Sequence, residues 1–198
     1  MKLGIMGGTF NPIHNAHLVA AMFALEEFAL DRVIFLTSGS PPHKTDMELP
    51  PADVRHELVK AAVADNELFE ADDYEVKKKT YSYTSETLAH YRRQYPDDEL
   101  YFIIGADSLR NLPQWHEPEK ILSLADIIVY PRKGESDTAF LIDAVSTRFG
   151  GRIMQLHAPA FDISSTYIRE LIKSGRSVRY LVPEPAFEMI RSRGLYRE

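Results

Sequence analysis

The sequence predicts an α/β fold with a largely parallel sheet, and three observations carry that prediction. Apolar runs of strand length recur without polar alternation, as strands covered on both faces require. Stretches of helical period lie between them, and Pro-, Gly- and Asp-rich breakers stand where connections are needed. Strand alternating with helix is the pattern of a sheet layered between helices.

Taken in order, "KLGIM" (2–6), "RVIFLT" (32–37), "ELYFIIG" (99–105) and "DIIVYP" (126–131) read as strands, and "GRIMQLHAP" adds a fifth near residue 152. Leu18, Met22, Leu25 and Ala29 repeat at helical spacing after the first strand, and Val54, Leu58, Ala61 and Ala62 do so after the second. Further helices are expected over Ser82–Tyr95, Asp137–Phe149, Ser165–Lys173 and Pro185–Arg193. The breakers "SGSPPHK" (38–44), "ELPPAD" (48–53), "YPDD" (95–98) and "PRKGES" (131–136) are all too short to be flexible interdomain linkers. A single domain over residues 1–198 is therefore expected, with a small helical region from about 160 to 198.

The chain carries 29 acidic against 23 basic residues, which disfavours a nucleic-acid surface neutralising many phosphates while leaving room for a small anionic ligand. With no cysteine, disulfide frameworks, thiolate nucleophiles and cysteine metal sites are excluded. The opening apolar run is too short for an export signal, and no run approaches the ~18 residues of a membrane span, so a soluble cytoplasmic protein is expected. Oligomeric state is left open, a homo-oligomer being compatible with the sequence.

In an open parallel sheet, ligands bind beyond the carboxyl ends of the strands. The loops there are the chemically richest in the chain: "GGTFNPIHNAH" (7–17), "SGSPPHK", "GADSLRNLPQWHE" (105–117) and "PRKG". A strand running through glycines into a helix surrounds a ligand with backbone amides and the positive end of a helix dipole. Gly7 and Gly8 permit close approach, yet neither G-x-x-x-x-G-K-[ST] nor G-x-G-x-x-G is present, and a plain tight turn explains a glycine pair equally well. His14 and His17, three apart at a helix start, share one face. As metal ligands they lack a third partner and the H-E-x-x-H spacing; as donors to phosphate oxygens beside a helix N-terminus they have a natural role.

Near the far end, "DISSTYIREL" (162–171) places consecutive hydroxyls before an apolar-periodic stretch. Helix capping accounts for one of Ser164, Ser165 and Thr166; with Arg169 one turn further on, the rest suit a second anion site. "EADDYE" (70–75) is acidic enough to suggest a metal, but it follows no predicted strand end and reads better as a solvated loop.

"GGTFNPIHNAH" together with "ISSTYIR" resembles the paired signatures of the nucleotidyltransferases with an H-x-G-H motif. "PPHK" (41–44), "YSYT" (81–84), "FIIGADS" (102–108), "LPQWH" (112–116) and "GLY" (194–196) extend the resemblance, in order, to the bacterial nicotinate-nucleotide adenylyltransferases. It implies a Rossmann-like sheet and adenylyl transfer from ATP to nicotinate mononucleotide, giving deamido-NAD and pyrophosphate. It further implies that His14, His17 and Arg169 act on phosphate charge, and that Gly7, Gly8, Thr9, Phe10, Ser164 and Ser165 help to hold ATP. Gly105 and Asp107 would meet the adenosine, and Lys44, Thr84, Trp115 and Arg132 the mononucleotide. Magnesium is implied as a bridge between phosphates, with no dedicated protein cage. A related enzyme acting on nicotinamide mononucleotide or another phosphomonoester, a non-catalytic nucleotide-binding module and a two-histidine metal hydrolase are the alternatives.

The chemistry suits these residue types. A phosphate monoester has a second pKa of about 6 and attacks without a general base, so the enzyme's task is to align two anions and stabilise developing charge. Trp115 is as well suited to core packing as to stacking on a pyridine ring, and Thr84 as well suited to capping as to binding. Asn11, Ala16 and His116 depart from the family pattern, where Asp, Gly and often Tyr stand.

Overall fold

The computed structural model describes residues 1–39, 49–78, 80–131 and 137–197. Six parallel strands form one sheet in the order β3-β2-β1-β4-β5-β6. The strands are β1 (Lys2–Gly8), β2 (Arg32–Thr37), β3 (Phe69–Asp72), β4 (Glu99–Gly105), β5 (Asp126–Tyr130) and β6 (Ile153–Gln155). The helices are α1 (Asn15–Glu27), α2 (Ala52–Val63), α3 (Thr84–Gln94), α4 (Ala106–Asn111), α5 (Pro118–Leu124), α6 (Thr138–Phe149), α7 (Ser165–Lys173) and α8 (Glu184–Arg193).

Both sheet faces are covered, which is why the strands read as continuous apolar runs. On one face Met6, Val33, Phe35 and Ile103 pack against α1, α2, α7 and α8. On the other, Leu3, Ile5, Ile34 and Phe102 pack against α3, α4, α5 and α6. The C-terminal helices share the first of these cores through Ile168, Leu171, Ala186 and Ile190. The Asn15 amide, donating to the Leu181 carbonyl at 2.9 Å, also ties them to the start of α1.

The two periodic stripes read from the sequence are rotated in the fold. Helix α1 buries Ala20, Ala21 and Ala24, while Met22 is 41% exposed, because alanines let the helix lie close to the sheet. Helix α2 buries Arg55, Leu58, Val59, Ala62 and Val63, so an arginine stands on its apolar face. Strand β3 is a correction to the solvated-loop reading of residues 70–75. Phe69–Asp72 pairs with Val33–Leu36 of β2. Only Phe69 and Ala71 of this edge strand pack on the core, so it carries little hydrophobic signal. Helix α5, entered through Pro118 and buried at Ile121 and Leu122, is likewise absent from the periodic pattern. None of the described helices is long and apolar enough to cross a membrane.

Candidate active site

The strand order reverses between β1 and β4, and the crevice at that switch point is where such a sheet accepts a ligand. A cleft of about 710 Å³ opens there. Strand β1 and the loop that follows it bring Gly7, Gly8, Thr9, Phe10 and His14 to it, and the first turn of α1 brings His17. Strand β4 and helix α4 bring Gly105 and Asp107, while Ser164 and Ser165 arrive from the start of α7. Thr84, Trp115 and His116 line another part of the wall. Arg169 stands beside the cleft: its Nη1 donates to the Asn11 carbonyl at 2.8 Å and its Nη2 to Thr166 Oγ1 at 3.3 Å. Lys44 and Arg132 lie outside the described residues.

The glycine pair serves close packing. A Cβ on Gly8 would meet the Phe10 ring at 3.0 Å, and Phe10 itself adopts a left-handed φ of 46° with its ring buried. At the β4 exit, a Cβ on Gly105 would stand 2.6 Å from Asp107 Oδ1 and 3.1 Å from Tyr130, so only glycine lets that carboxylate fold back over the strand end.

The two histidines hold one another. His14 is the residue before α1, and its amide donates to His17 Nδ1 at 3.2 Å. Their rings stack at 3.7 Å, and Phe10 meets the His17 ring edge-on at 5.1 Å. Because Nδ1 accepts, the proton of the neutral imidazole resides on Nε2, which makes His17 a donor through that atom. Neither histidine belongs to a cluster of three metal-ligating side chains among the described residues.

The start of α7 divides its hydroxyls. Ser164 Oγ accepts from the Tyr167 amide at 3.1 Å, which is the capping role, and Ser165 Oγ donates to the Pro12 carbonyl at 2.8 Å. The first intrahelical bond runs from the Ile168 amide to Ser164, so the amides of Ser165 and Thr166 precede it at the positive end of the helix. Capping does not explain Thr84, because Tyr83 holds the cap position of α3 without a side-chain bond. Trp115 is half-buried: it meets Phe102 at 71° and 6.4 Å and also lines the cleft. His116 is exposed and packs at 4.5 Å against Tyr83.

Three buried polar side chains are not foreseen as buried by the sequence: those of Asn11, Arg55 and Glu75. Asn11 is 3% exposed, and neither polar atom of its amide has a partner among the described residues. Leaving such a group unsatisfied costs about 1–3 kcal/mol, a penalty characteristic of sites kept for function. The variant Asn11→Leu is accordingly expected to unfold at a higher temperature in calorimetry while losing turnover. Arg55 and Glu75 are the other two. The guanidinium of Arg55, 1% exposed, donates to the carbonyls of Thr9 at 2.6 Å, Gly39 at 3.0 Å and Pro50 at 3.1 Å. The signal for it is its place on the buried stripe of α2.

Glu75, 7% exposed and part of the cleft wall, accepts from Thr87 Oγ1 at 2.7 Å. Glu75, the last residue of "EADDYE", is thus neither solvated nor remote from the site. Burial pushes the Glu75 carboxyl above its ordinary 4.5, opposed by the Thr87 hydrogen bond and the charge of Lys78. Between 4.5 and that raised value the native chain binds more protons than the unfolded one, so this group's contribution to stability falls as pH rises. Glu75→Gln is expected to flatten that segment of the stability–pH curve in denaturant titrations. Tyr196, from the closing "GLY", has its phenol pushed up by burial and eased by the charges of Arg55 and Arg169.

A glycine-rich strand exit facing helix N-termini at the switch point of a 3-2-1-4-5-6 parallel sheet defines a Rossmann-like nucleotide-binding protein. The family model described as Cytidylyltransferase-like matches residues 5–171. A protein of Clostridium novyi (strain NT) named "Probable nicotinate-nucleotide adenylyltransferase" is 45% identical over 198 residues, covering 99% of each chain. Its namesake in Desulfitobacterium hafniense (strain DSM 10664 / DCB-2) is 44% identical over 199 residues, covering 99% of this chain and 96% of that one. The chain therefore belongs to the cytidylyltransferase-like family and, within it, to the nicotinate-nucleotide adenylyltransferases. The fold agrees with Plasmodium falciparum nicotinic acid mononucleotide adenylyltransferase complexed with NaAD, at a TM-score of 0.79 and 18% identity over 98% of this chain and 97% of that one. The same protein complexed with APC gives a TM-score of 0.78 at 16% identity, over 98% of this chain and 96% of that one.

Proposed function

We propose that this chain transfers the adenylyl group of ATP to nicotinate mononucleotide, giving deamido-NAD and pyrophosphate. The observation that carries the reading is the single cleft at the β1/β4 switch point. It joins a polyphosphate cradle, formed by Gly7–Phe10, the histidine pair and the start of α7, to a wall bearing Thr84, Trp115 and His116. The curated relatives named for this reaction support it.

In the reaction, an oxygen of the mononucleotide phosphate bonds to the α-phosphorus of ATP as the bond from that phosphorus to the bridging oxygen breaks, and pyrophosphate leaves with the electron pair. The attacking phosphate, with a second pKa of about 6, is already deprotonated at neutral pH, so no side chain need take a proton. The chain's residues orient and neutralise. The Nε2–H of His17 and His14 act on the phosphate oxygens, and the Ser165 and Thr166 amides face the outer phosphates. Arg169 braces the Asn11 carbonyl beside them. Gly105 and Asp107 take the adenosine, and Thr84 and Trp115 the pyridine ring and its carboxylate, together with Lys44 and Arg132.

The phosphate cradle suits an ion carried in on the ATP phosphates, and no trio of His, Asp or Glu converges among the described residues. Bound through those phosphates, Mg2+ would offset their charge while keeping much of its water. Chelation by EDTA is expected to abolish turnover, with recovery on adding excess Mg2+ and no requirement for zinc. The reaction class is tested with ATP labelled in its α-phosphate: the label is expected in the dinucleotide, and label released only as AMP would overturn the reading in favour of hydrolysis.

A further inference from the structure

We infer that Arg55 and Glu75 are positioning residues belonging to one internal strut, which fixes the distance between the phosphate cradle and the mononucleotide wall. The strut begins at the cradle, where Arg55 Nη1 holds the Thr9 carbonyl at 2.6 Å. The other end of the same fork holds Gly39, beyond the exit of β2, at 3.0 Å. Gly39 lies flat against the backbone carbonyl of Glu75, with no room there for a Cβ. Glu75 then reaches across to Thr87 at 2.7 Å. Thr87 is one turn from Thr84 on α3 and shares its face, and both line the cleft.

The path thus runs from the end of β1 through α2, the β2 exit and the β3 exit to the first turn of α3. Arg55 does not line the cleft, so its action is exerted through the carbonyls that it grips. Three bonds from a rigid planar fork to three separate segments set their relative placement, which a lysine's point charge cannot reproduce. No carboxylate pairs with Arg55 among the described residues, so its positive charge is left beneath the phosphate loop.

Adenylyl transfer requires in-line approach of two separately bound anions, and a displacement of about 1 Å can cost on the order of 100-fold in rate. The inference rests on the proposed reaction for its substrates, but its test has one readout that does not. Arg55→Lys, Glu75→Met and Thr87→Val, with the pairwise combinations, are compared with the wild-type chain. Each is expected to lower kcat by about 10- to 100-fold while the Kd for ATP without acceptor changes by less than about threefold. A double variant should be little worse than its worse single parent, because one strut is broken once. Thr87→Val, a near-isosteric change far from Arg55, guards against misfolding of the arginine variant.

The independent readout is amide hydrogen exchange. Thr87→Val should loosen the amides of residues 9–14, and Arg55→Lys those of residues 84–87, each on the opposite wall. Multiplying effects on kcat, or exchange changes confined to the mutated side, would overturn the strut. Absence of wild-type turnover would defeat the proposed reaction instead, and the exchange data would still decide the strut.

Discussion

His17→Ala is expected to lower kcat by about 10²- to 10³-fold while shifting the Kd for ATP by less than about threefold. Three contacts fix the ring before any ligand binds: the His14 amide on Nδ1 at 3.2 Å, the His14 ring stacked at 3.7 Å and Phe10 at its edge. In the proposed reaction, a donor so held needs no reorganisation as charge builds on the transferring phosphate, so its bond should strengthen in the transition state and contribute little to ground-state binding. Pyrophosphate release, measured alongside ATP titration without acceptor, separates the two quantities. Equal losses in kcat and affinity would reduce His17 to a binding residue.

Phe35→Ala is expected to destabilise the fold by about 3–5 kcal/mol, a large part of the ~5–15 kcal/mol available to a domain. Phe35 is fully buried on the central face of β2, edge-on to Phe69 at 5.1 Å and tilted against Phe10 at 6.1 Å. The resulting cavity lies directly under the left-handed turn at Phe10 that supports Gly8 and His17, so stability and ATP affinity should fall together. Urea unfolding with an unchanged m-value measures the first. A loss below about 1 kcal/mol would show that the loop does not rest on this packing.

The architecture was legible because its strands are buried on both faces, and runs such as "RVIFLT" and "YFIIG" have no other comfortable environment in water. The edge strand β3 was hidden because Phe69 and Ala71 alternate with Glu70 and Asp72 over only four residues. Much of the cleft lining was legible too, since glycines after a strand and histidines at a helix start announce themselves locally. What remained hidden is non-local. Nothing beside Arg55 in the chain says that its fork meets Thr9 and Gly39, and nothing in "EADDYE" says that Glu75 folds under α3. The trace was the arginine on an apolar stripe, a placement the hydrophobic pattern passes over because the pattern counts only apolar residues.

Asn11 and Ala16 fit the proposed cradle in different ways. Ala16 lies in the first turn of α1, where ordinary helical geometry accommodates its methyl. Asn11 keeps a buried amide with both polar atoms unpartnered among the described residues, and its backbone carbonyl is the one gripped by Arg169.

The most direct measurement is pyrophosphate release from ATP and Mg2+ with nicotinate mononucleotide, nicotinamide mononucleotide or phosphopantetheine as acceptor. Release dependent on nicotinate mononucleotide, weaker with its amide and absent with phosphopantetheine, is the expected result. No release with any of the three would contradict it.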